Sequence, residues 1–423
     1  MTQIPKENPF TSAIALFREG YNFIQNRCAK NKSDLFQISF PGMQIICMTG
    51  AEAAKIFYDP QKFVRKGAIP VRVQKTLLGT RVIHTQDGEA HKKRKQMFMS
   101  MMTETNIKHL ATLVGDHMEK YALQWTSAPS VVLFDEVRKI LTAAVCEWAG
   151  VPLKEGEVKA RADDFIAMVD AFGAMGPRFW RGKLARKRTE KWIMTLIEKV
   201  KRGEMIVKGG SPLEAVLDFR NIDGKPFDAH LAAVELINFL RPTVAISYYI
   251  VFAAHALQKY PQYKELLATG DDVLMEQFIN EVRRYYPIGP FIGARVKENF
   301  EWNGYPFRKG AMVLLDIYGT NHDARYWPKP QEFSLENFQN WDKSPFDFIP
   351  QGGGGYYSGH RCPGEWITID VMKVFLNYLA KNLSFEMPAQ DTEYDLRRMP
   401  TYPKSGIVIS NVVYHKAETV GQY

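Results

Sequence analysis

The stretch FIPQGGGGYYSGHRCPGEWITIDVMKVFLNYL, Phe348–Leu379, sets a glycine-rich loop directly before an apolar helical pattern, with Cys362 at the junction. A helix beginning near Pro363 places that sulfur at its amino-terminal end. Helix-end amide groups, together with the cations Arg361 and His360, favour a thiolate there. The run Gly352–Gly355 carries no side chains to keep the backbone away from a flat cofactor. The plain alternative is a buried free cysteine in a tight loop, and the rest of the chain has to choose.

Outward from this loop the chain reads as mainly α with small β-sheets. Helical spacing of apolar residues predicts helices over Ala90–Met102, Ile107–Thr126, Val137–Trp148, Glu190–Arg202, His230–Gln258 and Val273–Tyr285. Strand-like segments flank them: LFQISFPGMQIIC with a Pro41-Gly42 turn, and FEWNGYPF with an Asn303-Gly304 turn. The 423 residues, 46% of them hydrophobic, can bury one large core, and no boundary-like tract divides them. One catalytic domain over residues 1–423 is expected.

The amino terminus lacks the basic-then-apolar pattern of a secretory signal. The strongly apolar stretch Val244–Leu257 is interrupted by Ser247 and His255 and is too short to span a bilayer, so no transmembrane anchor is expected. Four cysteines, Cys28, Cys47, Cys146 and Cys362, lie far apart, without zinc-site or disulfide-scaffold spacing. A cytoplasmic location fits. The net charge is +9, and the basic run RFWRGKLARKR, Arg178–Arg188, interleaves aromatics; without a nucleic-acid motif it reads as a solvated helix face, and no nucleic-acid partner is expected.

Glu281-Val-Arg-Arg284, followed about eighty residues later by Cys362-Pro-Gly364-Glu, resembles the cytochrome P-450 superfamily. The resemblance implies the P-450 fold, haem b (iron protoporphyrin IX) as cofactor, Cys362 as the axial thiolate of its iron, and Glu281 and Arg284 as a structural ion pair. Two positions depart from the usual loop, Ser358 for a glycine and Gly355 for a phenylalanine, and the arrangement QGGGGYYSGHRCPGE resembles the bacterial fatty-acid peroxygenase branch instead. Asn337 also departs, standing where many relatives carry an arginine of the ion-pair network.

Within ELINFLRPTVAISYYIVFAAHAL, Arg241 is a lone cation on an apolar helix, and Pro242 behind it can kink that helix. A buried guanidinium needs an anion, either an internal Asp or Glu or the carboxylate of a ligand. Oxygen-using relatives carry an acid and a threonine here; Arg241-Pro242-Thr243 resembles the peroxygenase branch, where the arginine holds a fatty acid whose own carboxylate is the acid–base group. That implies hydrogen peroxide as co-substrate and no obligatory redox partner. His84 falls where this branch carries glutamine or histidine, which implies α- or β-hydroxylation with some decarboxylation to terminal alkenes; Leu78 replaces a phenylalanine found in a strong decarboxylase. By the same resemblance Arg65, His91, Arg94, Lys95 and His360 contact the haem or its propionates, and Leu78, Val169, Phe172 and Phe291 contact substrate. The rival readings are an oxygen-dependent P-450 fed by an electron-transfer protein, and a non-catalytic haem or fatty-acid-binding sensor.

Overall fold

The computed structural model describes residues 3–40 and 43–416. Helices dominate its middle. Leu133–Trp148, Val158–Asp170 and Pro177–Lys201 pack around Ala229–Ala245, whose residues from Leu231 to Val244 are all buried except Pro242, and Glu104–Trp125 packs on Leu133–Trp148. A helix that is apolar nearly all round belongs in a core. The helices Ala229–Ala245 and Ser247–Lys259 together are long and apolar enough to cross a membrane, but 89% of their most apolar window is buried inside the protein.

The sequence pattern predicts one helix over His230–Gln258, whereas the structure breaks it at Ile246. Pro242 cannot donate to the Asn238 carbonyl, and the last turn tightens, with the Ile246 N–H donating to the Thr243 carbonyl at 3.2 Å. The helix predicted from Glu190 starts instead at Pro177. Its basic first half hides any apolar period, but Pro177 at its first turn, after Gly176 at φ 62°, gives the start. This helix approaches Val158–Asp170 closely, since a Cβ added at Gly182 would stand 2.3 Å from the Ala171 Cβ and 2.7 Å from the Ala167 carbonyl oxygen. The basic run on it meets acids: Arg178 and Arg181 reach Asp170, Arg186 pairs with Glu190, and Arg188 pairs with Asp164.

A six-stranded sheet lies to one side, in the order Lys6–Glu7, Leu35–Phe40, Met43–Met48, Met312–Asp316, Phe291–Val296, Phe63–Val64. The predicted hairpin pairs Leu35 with Met48 through Phe40 with Met43; its Pro41-Gly42 turn lies outside the described residues. The second hairpin pairs Phe300–Trp302 with Tyr305–Phe307, and its Asn303 and Gly304 have φ of 50° and 78°, as a two-residue primed turn requires. Leu383–Glu386, Val408–Tyr414 and Ser130–Val132 form a third sheet.

Candidate active site

Cys362 stands just before the helix Glu365–Asn377, with its N–H donating to the Gln351 carbonyl at 3.0 Å. The Gln351 side-chain amide reaches Sγ at 3.7 Å and the Thr368 hydroxyl at 3.0 Å. Burial pushes the Cys362 thiol up, while the Gly364 N–H, Lys95 and the Gln351 amide oppose that shift. The cations expected to favour the thiolate are engaged elsewhere. Arg361 binds Glu365 through two hydrogen bonds of 2.7 and 3.1 Å. His360, its pKa lowered by burial, lies with its ring centroid 3.9 Å from that of His91. Lys95 supplies charge instead, its ammonium binding the Arg361 carbonyl.

The glycine run also has a different reason from the expected one. Gly352 and Gly354 have φ of 91° and 78°, and a Cβ at Gly353 would stand 2.7 Å from the Pro345 carbonyl oxygen and 3.0 Å from the Tyr58 ring. Close packing on Tyr58 and Pro345 therefore selects Gly352–Gly354, and Gly352–Gly355 do not line the cavity beside Cys362.

Glu281 and Arg284 form two hydrogen bonds of 2.7 and 2.8 Å with both side chains fully buried. Glu281 also accepts from the Ser334 N–H at 2.8 Å and from the Asn337 amide at 3.1 Å. Asn337 thus donates to this carboxylate without bringing another charge into the core. Arg284 reaches the cysteine loop through Asn321, donating to its carbonyl at 3.0 Å while its side chain accepts from the Ile349 N–H at 2.9 Å. The neighbouring Arg283 touches the loop directly, at Gln351 (3.1 Å) and Glu365. Neither Arg283 nor Glu365 was expected from the sequence to take part, although each stands inside one of the two motifs.

Cys362 lines a cavity enclosing about 1080 Å³, part of it open to solvent, together with His84, His91, Lys95, His360 and Arg241. Arg241 is 5% exposed, and no carboxylate among the described residues pairs with it. It donates to the Leu77 carbonyl at 2.6 Å and to the Asn238 side-chain oxygen at 3.4 Å, and its Nε has no partner. Burial and then the charge of Arg186 pull its pKa down to about 9, so it remains a guanidinium cation at neutral pH while lacking an anion. Among the described residues, the internal Asp or Glu expected as an alternative partner of Arg241 is not found. Pro242 and Thr243 share the cavity wall, and the Thr243 hydroxyl is spent on the Phe239 carbonyl at 2.9 Å.

His84 is half-buried in a single turn, Ile83–Thr85, and its buried Nδ1 has no partner. Burial, then Arg241 and the other nearby bases, lower its pKa to about 3, so its ring is neutral at pH 7. Of the expected propionate contacts, His91, Lys95 and His360 line the cavity; Arg65 and Arg94 do not. Arg65 stacks on Phe57 at 4.3 Å, with its Nε unpartnered. Arg94 is corrected: it is a buried ion-pair partner, 2.9 Å from Glu235 and hydrogen-bonded to the Arg81 carbonyl at 2.6 Å. Leu78, Val169, Phe172 and Phe291 lie outside this cavity wall, with the Phe172 and Phe291 rings 6.5 Å apart and Leu78 next to the carbonyl that Arg241 holds. Glu235 and Asn238 were not foreseen from the sequence; Glu235, Asn238 and Arg241 follow one another at intervals of three residues, which makes each a neighbour of the next along the helix.

These residues fit a flat, acidic, metal-bearing cofactor. A thiol on one wall can ligate iron, His91, Lys95 and His360 share the cavity with it, and the buried Nδ1 of His84 on the same wall lacks a protein partner. A cytochrome P450 family profile matches residues 273–409, which include the Glu281–Arg284 pair and Cys362. The chain is 43% identical to cytochrome P450SP alpha (CYP152B1), in a structure with (R)-ibuprophen, over 95% of this chain and 98% of that one, with a TM-score of 0.92. The chain belongs to the cytochrome P450 family. Other CYP152 and OleT cytochromes P450 agree with it over nearly their whole length. Cytochrome P450EX alpha (CYP152N1), solved with myristic acid, is 38% identical over 98% of this chain and 100% of that one, with a TM-score of 0.94. A variant of cytochrome P450 OleT, solved with arachidonic acid, is 34% identical over 99% and 100%, with a TM-score of 0.95. Among curated proteins, cytochrome P450 3A15 of Cavia porcellus is 34% identical over 134 residues, 30% of this chain, and the match spans only 26% of that protein.

Proposed function

We propose that this P450 oxidises long-chain fatty acids with hydrogen peroxide, hydroxylating the α or β carbon, with decarboxylation to terminal alkenes as a second outcome. The observation that carries the reading is Arg241: a buried cation with no carboxylate partner among the described residues, in the same cavity as the Cys362 thiol. A fatty-acid carboxylate accepts two parallel hydrogen bonds from such a fork and relieves its unpaired charge. Two relatives of known structure hold fatty acids, which supports the same ligand class here.

Haem bound through Cys362 would supply the oxidising chemistry, with His91, Lys95, His360 and Arg65 suited to its acidic groups. Arg241 fixes the carboxyl end and so presents the adjacent carbons for reaction. Proton handling falls to the bound carboxylate: Thr243 is committed to a carbonyl, and His84 holds its one ring proton as a neutral imidazole. Peroxide supplies both oxygen and oxidising equivalents, so one domain suffices and no electron-transfer partner is needed.

The test is product analysis by gas chromatography after mixing haem-loaded protein, palmitic acid and peroxide without reductase. Hydroxy acids or a terminal alkene are expected; haem loading and fatty-acid binding without product would refute the proposal. Arg241→Leu should cut turnover at least a hundredfold, as expected for losing a positioning contact in the reacting complex.

A further inference from the structure

Glu235 is fully buried, one turn from Asn238 on the helix that carries Arg241. Its Oε1 accepts from Arg94 Nη1 at 2.9 Å and from the Ile83 backbone N–H at 3.1 Å. Its Oε2 accepts from the Asn238 side-chain amide at 3.1 Å, and the Asn238 oxygen accepts from Arg241 Nη2 at 3.4 Å. Burial pushes the Glu235 carboxyl up, while Arg94, Asn238 and the Ile83 N–H oppose that shift, and with Glu235 as the carboxylate of its ion pair with Arg94 the direction of every bond in this chain is forced. A guanidinium only donates, so each end must meet an acceptor, and between them the Asn238 amide can point only one way.

We propose that Glu235 is a positioning residue for the Arg241 clamp, acting through Asn238 to keep an acceptor facing the guanidinium; the inference rests on the carboxylate-binding reading above. Arg94 and the Ile83 N–H pin one oxygen of Glu235, which leaves the other in place for Asn238. The Leu77 carbonyl restrains Arg241 from a second side, where Arg186 Nη1 also donates at 3.1 Å. Arg241 is therefore held by two neutral acceptors that fix its direction without neutralising its charge, which stays available to a carboxylate.

Glu235→Gln reverses the chain. The glutamine oxygen must still face Arg94, so its NH2 group faces Asn238, which turns and presents its own NH2 to Arg241, donor against donor. Asn238→Ala removes the link while leaving the Glu235 bonds to Arg94 and Ile83 intact.

The experiment compares binding of palmitic acid and 1-hexadecanol to haem-loaded protein by Soret titration, taking the ratio of the two dissociation constants as carboxylate selectivity. Glu235→Gln and Asn238→Ala should each lower this ratio about tenfold, and the double variant should lower it no further than either alone. A purely structural role for Glu235 would lower melting temperature or haem content and leave the ratio unchanged. If Glu235→Gln does not fold, Asn238→Ala decides. A ratio that collapses in Arg241→Leu but is unchanged in Asn238→Ala overturns this inference alone; a ratio unchanged in Arg241→Leu overturns the clamp and this inference together.

Discussion

At the scale of single residues, the buried charges are arranged by what each donor still lacks. Glu281 has three kinds of donor, from Arg284, Ser334 and Asn337, and burial nevertheless pushes its carboxyl up. Removing one donor from such a group leaves a desolvated acceptor short. Asn337→Leu should therefore cost about 1–3 kcal/mol of stability, read as a shift in urea midpoint, and no shift would mean that Glu281 does not need this donor. His84 is placed to influence products, being a neutral, partly unsatisfied base on the cavity wall. His84→Gln should move products toward hydroxy acids; an unchanged alkene fraction would take His84 out of that choice.

At the scale of elements, the helix Ala229–Ala245 places Glu235, Asn238 and Arg241 by its 3.6-residue turn, and the break after Pro242 ends the series. Backbone approach matters equally between Val158–Asp170 and Pro177–Lys201. A methyl group at Gly182 would overlap Ala171 and the Ala167 carbonyl, neither of which can move without shifting a helix. Gly182→Ala is expected to destabilise the fold by about 1–3 kcal/mol despite its better helix propensity, seen as a lower melting temperature. A gain in stability would mean that the two helices separate freely.

At the scale of the whole molecule, burial keeps several histidines neutral. Away from the cavity beside Cys362, burial first, then nearby cations, lowers His322 to about 3 and His255 to about 4. Their ordinary value is 6.5, so below that pH the unfolded chain binds more protons than the folded one, and stability falls as pH falls toward the folded values. Each such histidine contributes a slope of about 1.4 kcal/mol per pH unit. Urea midpoints of the holoprotein should drop steeply between pH 6.5 and 5 and stay level, as far as these groups are concerned, above 7. A flat profile through the acid range would show that they are charged in the folded state.

The sequence by itself determined the family, the mainly helical fold and the Glu281–Arg284 pair, and it singled out Cys362 and Arg241, which the fold brings to one cavity. Each is a local signal: a motif order, an apolar period, or a charge where the pattern forbids one. Both hairpins were legible because turn chemistry acts over two residues. Only the tertiary structure decided which acid each base meets, since partners are brought together from distant segments. Arg94 turned out to belong to Glu235, Arg361 to Glu365, and Arg241 to no carboxylate among the described residues. The glycine run likewise looked like cofactor contact in one dimension, whereas in three Gly352–Gly354 pack on Tyr58 and Pro345. Spacing can bring a charge to a helix face; whether that charge is spent or left free for a ligand depends on what the rest of the fold sets against it.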